Sequence, residues 1–294
     1  MAFISNDDNF ELYDTTRLID NNKLILPDKI FYINLDRRQD RRNHIQNLLK
    51  LHSFEDIAER IKAVDGSKLN LDKIPSTIIT ANGIKDAKNK KSRVFVPLTK
   101  GAIGCAMSHM IAWQKIIDEN LSSALIVEDD IRIHEPIKRK LHQYLSKAKE
   151  LSFDILYLGY SPATLKYIIM PKNVDPKKEM FIRSKETFGL FAYIVSRKGA
   201  EKLLKIFPIE KQLDTAISKA LKNHNINALL LYPEEQIITS DISEKSVEFG
   251  TDIQKREGFG RSIMSSPNDI FFQLIWFITI ILCLYLIGIW ILNE

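Results

Sequence analysis

Short, almost wholly apolar runs recur along this chain, and most give way at once to polar residues and then to a helical pattern. Ile30 to Ile33 form the first. Ala124 to Val127, Ile155 to Leu158 (closing on Gly159), Phe191 to Val195 and Ala228 to Tyr232 form the others. Runs this short, apolar on both alternating faces, read as strands covered on both sides. Between and after them, helical spacing appears in HIQNLLKLH, where Ile45, Leu48 and Leu49 share a face, and again at 99–120, 197–206 and 214–224. This alternation predicts an α/β fold with a mostly parallel sheet. A chain of 294 residues that is 45% hydrophobic can bury a core of that size, which excludes a disordered chain. Two cysteines, Cys105 and Cys283, exclude a disulfide scaffold, and six scattered histidines argue against a His-built metal site.

The formal net charge of +5 is unevenly placed. Ile270 to Leu292 carry no charged side chain. As a helix this run would extend roughly 34 Å, enough to span a bilayer's hydrocarbon core. Lys255, Arg256 and Arg261 precede it and nothing basic follows. The N-terminus shows no signal-peptide core. The expectation is a single-pass C-terminal membrane anchor with the remaining chain on the cytoplasmic side. The stretch 70–100 reads as irregular and is the most basic in the chain, with Lys85, Lys88, Lys90, Lys91, Arg93 and Lys100. It reads as a solvated loop or as a surface for phosphates or headgroups. Its single aromatic, Phe95, gives no stacking set, so no nucleic acid is expected.

The sharpest chemical signal is Glu128-Asp129-Asp130, directly after the apolar run ALIV. Adjacent carboxylates repel, and a cation offsets that cost. On an extended backbone Glu128 and Asp130 share a side. Two such groups at a strand end suit Mn²⁺ or Mg²⁺ with positions left open for phosphate oxygens. A helix start or a structural salt-bridge cluster is the other reading. No GxxxxGK[ST], no GxGxxG after the first strand and no GxSxG occurs. Ser108 and His109 are neighbours on a helical pattern and point about 100° apart, which disfavours a catalytic dyad. Gly101 and Gly104 in that helix imply a close backbone approach, to a strand or to a ligand.

Several strings occur in a fixed order: INLDRRQDRR at 33–42, AVDG at 63–66, KGAIGCAMSHMIAWQKI at 100–116, ALIVEDDIRI at 124–133 and DILYLG at 154–159. AYIVSRKGAEKLL at 192–204, QLDTAI at 212–217 and LYPEEQIITSDIS at 231–243 follow. Together they resemble glycosyltransferase family 25, which includes lipooligosaccharide and procollagen galactosyltransferases. The resemblance implies a GT-A-like domain at 28–250, between an N-terminal arm (1–27), a juxtamembrane linker (251–269) and the transmembrane helix (270–292). It implies inverting transfer of a hexose, galactose or glucose, from a UDP-linked nucleotide-sugar donor to a hydroxyl-bearing acceptor on a glycan, lipid or protein. Manganese or magnesium would be the cofactor.

Carried over, Asp130 and Glu128 become the metal ligands. Arg37, Arg41 (or Arg42), Glu128, Asp129, Ser108 and His109 become donor-binding residues. Asp214 becomes the candidate catalytic base, with an N-cap of the following helix as its plainer role. Arg37 and Arg41 read equally as members of a solvated helix start. A catalytically inactive, tail-anchored interaction protein retaining the same fold is the alternative function.

Overall fold

The computed structural model describes residues 24–89, 98–134, 136–169 and 180–240. The expected run 270–292, the linker before it and residues 90–97 of the basic stretch lie outside them. Strand β1 (Lys29–Asn34) leads into helix α1 (Gln39–Leu51), then β2 (Ala58–Lys62), α2 (Ala81–Lys88) and α3 (Lys100–Asp118). Next come β3 (Ser123–Glu128), β4 (Ile131–Ile133), α4 (Ile137–Glu150) and β5 (Ile155–Gly159). Strands β6 (Ile168–Ile169), β7 (Phe181–Ser184) and β8 (Ala192–Ser196) follow. Helices α5 (Arg197–Leu204) and α6 (Leu213–Lys222) and strands β9 (Ala228–Leu231) and β10 (Ile238–Ser240) complete the described fold.

The period-2 alternation of β1 divides the core into two layers. Ile30 and Tyr32 pack with Ile45 and Leu49 of α1 and with Leu141 and Leu145 of α4. Phe31 and Ile33 face the other way, onto the layer built from Trp113 and Ile116 of α3, Leu203 of α5 and Ile217 of α6. The sheet is therefore covered on both faces, as the apolar runs predict.

The strand order is β2-β1-β3-β8-β5-β9-β7-β6, with β4 and β10 forming a separate pair. Here the expected fold class is corrected. The expected mostly parallel mixed sheet is indeed mixed, but parallel pairing does not predominate. β1 runs parallel to β2 and β3, and β5 to β9, but β8 is antiparallel to both β3 and β5, and β7 to both β9 and β6. A strand buried on both faces has the same apolar pattern whichever way it runs, so composition carries no direction. Among the described residues no helix is long and apolar enough to cross a membrane, and the span expected at 270–292 lies outside them.

The stretch read as irregular holds α2, whose first turn is capped by Thr80 Oγ1 accepting from Gly83 N–H at 3.1 Å. Lys88 at its end pairs with Asp72. The two glycines expected to permit a close approach resolve into one contact. A Cβ on Gly104 would lie 2.5 Å from the Val64 carbonyl oxygen and 2.8 Å from Gly66 N. What approaches helix α3 there is the AVDG turn after β2, not a ligand. Ser108 fastens the same contact, accepting from Val64 N–H at 2.9 Å and donating to the Gly104 carbonyl at 2.7 Å.

Candidate active site

Glu128 is the last residue of β3, and its N–H donates to the Phe191 carbonyl at 2.9 Å. Asp129 and Asp130 form the turn into β4. Antiparallel pairing with β10 (Ile131 opposite Ser240) pins that turn from its far side. Both aspartates are buried, at 5% and 2% exposure. Arg41 from α1 reaches beneath them. Its Nη1 lies 2.9 Å from Asp129 Oδ1, and its Nη2 lies 3.0 Å from Asp130 Oδ2. Asn34, at the end of β1, donates from Nδ2 to Asp129 Oδ2 at 2.6 Å. Asp129 thus has both oxygens engaged by protein donors. Asp130 Oδ1 is buried and accepts no hydrogen bond.

The formal charges explain the strain. Three carboxylates stand against one buried guanidinium, which leaves the turn two charges negative. Burial pushes the Asp129 carboxyl above its ordinary range in spite of Arg41 and Asn34. Burial, then repulsion from Glu128, push Asp130 up to about 7 against the pull of Arg41. An orphaned buried acceptor is costly, and here it marks a place where a cation or a donor belongs. A hard divalent ion fits this donor set: Asp130 Oδ1 has spare capacity, and Glu128 beside it is 23% exposed.

Helix α3 supplies the opposite wall. His109 is buried, and its Nδ1 lies 2.7 Å from Tyr193 Oη, which also accepts from Trp113 Nε1–H at 3.0 Å. With Trp113 donating to it, that oxygen can still either donate to Nδ1 or accept from Nδ1–H, according to the imidazole tautomer. His109 Nε2 lies 3.7 Å from Glu128 Oε1. One turn earlier on the same face stands Cys105, whose thiol is pushed well up by burial and by the charges of Glu128, Asp214 and Asp130. Asp214 lies in the first turn of α6 and accepts from Gly189 N–H at 3.1 Å. Its carboxylate holds the 187–191 turn instead of capping its own helix. Burial raises it to about 6, and of the neighbouring charges Glu128 adds to that rise while His109 opposes it. Gly189 has φ +85°, a backbone region that disfavours side chains, so the turn that presents this N–H needs glycine.

The fold thus brings Glu128, Asp130, His109 and Asp214 to one end of the sheet. Arg41 is at that end too, but 7% exposed and spent on the aspartates. Arg37 lies nearer the surface, with Nε 3.2 Å from Asp65 Oδ2. Ser108 is 1% exposed and engaged with backbone on both sides. Asn34, Tyr193 and Cys105 were missed in the sequence. Cys105 carried a readable signal, since Cys105 and His109 stand four apart on a helical pattern and so share a face. Asn34 and Tyr193 carried none, because their roles depend on strands far apart in the chain.

A doubly covered α/β sheet with a buried acidic turn at the end of a central strand defines the class of site. Residues 27–217 match the family model described as "Glycosyltransferase family 25 (LPS biosynthesis protein)", and the chain belongs to that family. It is 32% identical over 189 residues to procollagen galactosyltransferase 1 of Danio rerio, covering 63% of this chain and 30% of that protein. It is 29% identical over 228 residues to procollagen galactosyltransferase 2 of Homo sapiens, covering 70% of this chain and 35% of that protein. A similar match, 29% over 196 residues, joins it to the probable inactive glycosyltransferase 25 family member 3 of Bos taurus, covering 63% of this chain and 30% of that protein. The chain thus spans about a third of the length of these relatives.

Proposed function

We propose that this protein is a divalent-cation-dependent glycosyltransferase. It moves a hexose, galactose or glucose, from a UDP-linked donor to a hydroxyl group with inversion at the anomeric carbon. The observation that carries the reading is the buried, unpartnered Asp130 Oδ1 beside half-buried Glu128, in a turn two formal charges negative. Asp130 and Glu128 would hold Mn²⁺ or Mg²⁺. Bound there, the ion would supply charge neutralisation for a nucleoside diphosphate leaving group. Asp129 does not ligate. It spends its oxygens on Asn34 and Arg41 and fixes the turn between them. Asp214 serves as the general base. Gly189 N–H fixes one of its oxygens, and a carboxyl raised to about 6 is still ionised at neutral pH while being a better base than an exposed aspartate. Inverting transfer needs no covalent nucleophile, and this site offers a base in its place.

The names of the zebrafish and human relatives support a galactosyl donor. The bovine relative's name favours the second reading, a domain that keeps the fold without turnover. The full-length chain, assayed with Mn²⁺ and a panel of UDP-sugars, separates the two. Metal-dependent donor binding with slow donor hydrolysis is expected, and Asp130→Asn should abolish the metal-dependent part. Donor binding without hydrolysis across the panel and across acceptors would favour the inactive reading. No binding of any UDP-sugar would refute both metal and donor assignments.

A further inference from the structure

Cys105, His109 and Glu128 each turn one ligand atom toward the same point, and all three atoms lie within 4.8 Å of one another. We propose that they form a binding site for a thiophilic divalent cation, Zn²⁺ above Mn²⁺ or Mg²⁺. The fourth position is left to water or to a ligand entering the site. This site does not use Asp130, but it shares Glu128 with the ion proposed for glycosyl transfer.

Three observations converge on it. His109 is buried and its Nε2 makes no hydrogen bond, although the ring's other nitrogen is fixed 2.7 Å from Tyr193 Oη. A buried imidazole nitrogen left without a partner and aimed at a carboxylate 3.7 Å away is an empty ligand position. The protein also holds that ring as metal-binding histidines are held. Tyr193 and Trp113 fix its plane, and the tyrosine oxygen can accept from Nδ1–H once Nε2 turns to a metal. Finally, the ligand types are a thiol, an imidazole and a carboxylate, a set that ranks Zn²⁺ and Co²⁺ above the hard ions. Tetrahedral zinc needs its ligand atoms about 3.3–3.7 Å apart, given Zn–S of about 2.3 Å and Zn–N or Zn–O of about 2.0–2.1 Å. The nitrogen–oxygen pair needs about 3.4 Å, so the 3.7 Å between His109 and Glu128 must shorten by a few tenths of an ångström, and the three atoms, now within 4.8 Å of one another, must draw in further. Binding displaces the thiol proton, which leaves to solvent, and takes up the imidazole as the tautomer with its proton on Nδ1, facing the Tyr193 oxygen.

Co²⁺ reports the geometry directly in the full-length, metal-free, reduced chain. Titration should produce a near-ultraviolet thiolate-to-cobalt absorption band that saturates at one ion per chain and is displaced by Zn²⁺. The band should vanish in Cys105→Ser and persist in Cys283→Ser. Tyr193→Phe should weaken Zn²⁺ affinity on the order of tenfold or more by freeing the imidazole. Asp130→Asn should keep the band while losing Mn²⁺-dependent donor binding, which separates this site from the proposed catalytic ion. Since wild type is the primary sample, a folding defect in a variant does not mask the answer. No thiolate band in wild type, or an undiminished band in Cys105→Ser, would overturn the proposal.

Discussion

Replacing Arg41 with alanine tests the electrostatics on which the site is built. The guanidinium sits 2.9 Å from Asp129 and 3.0 Å from Asp130, and it is the buried positive partner that they share. At an effective dielectric of about 20, each contact at these distances carries about 5 kcal/mol of gross attraction. Most of that offsets the desolvation of three buried groups. Removing one partner of such a cluster costs about 3–5 kcal/mol, because the aspartates remain buried and uncompensated. The loss should depend on pH, with a definite sign. Burial already raises Asp130 to about 7, and without Arg41 it rises further. A carboxyl raised above its unfolded value carries its full penalty above the raised value, and the penalty declines as pH falls from there to the unfolded value. Urea unfolding of Arg41→Ala should therefore show a loss against wild type that is largest at alkaline pH, above the further-raised value of Asp130. The Asp130 part of that loss should shrink by about 1.4 kcal/mol per pH unit as pH falls toward about 7, below which the wild-type carboxyl is protonated as well. Arg41→Lys should lose less at every pH, since it retains the charge but not the two-pronged contact. A loss below about 1 kcal/mol at pH 8, or one that does not change with pH, would show that Arg41 does not offset these charges.

Three further outcomes are expected. Gly104→Ala should lower stability by about 1–3 kcal/mol in a thermal or urea melt, because the new Cβ meets the backbone of Val64 and Gly66, which has little room to yield. Asp214→Asn should cut turnover on the order of 10²–10⁴-fold and remove the acid limb that wild type shows near pH 6, read from a pH–rate profile. Mn²⁺ affinity, measured by calorimetry on the metal-free chain, should fall about tenfold per pH unit below about pH 7, since the ion must displace the proton that Asp130 then carries.

Much of the framework was legible from residue pattern. The apolar runs at 30–33, 124–127, 155–158, 191–195 and 228–232 became β1, β3, β5, β8 and β9, and the helical spacings at 197–206 and 214–224 became α5 and α6. The acidic triplet at the end of ALIV was legible as a site because charge at the end of a buried run is a local fact. Direction and pairing were not local. The antiparallel insertion of β8 between β3 and β5 sets Ala192 opposite Val127 and lets the Glu128 N–H reach Phe191. That placement carries Gly189, and with it Asp214, to the acidic turn. The three neighbouring carboxylates also received different roles from their surroundings. Asp129 is held by Asn34 and Arg41, Asp130 keeps a buried oxygen without a partner, and Glu128 turns toward His109. Sequence determined which residues could be buried and where charge would be concentrated, because periodicity and composition act over a few residues. Only the tertiary structure decided which charges meet, because strand direction and the long-range contacts of Arg41, Tyr193 and Asp214 are set by packing across the whole sheet.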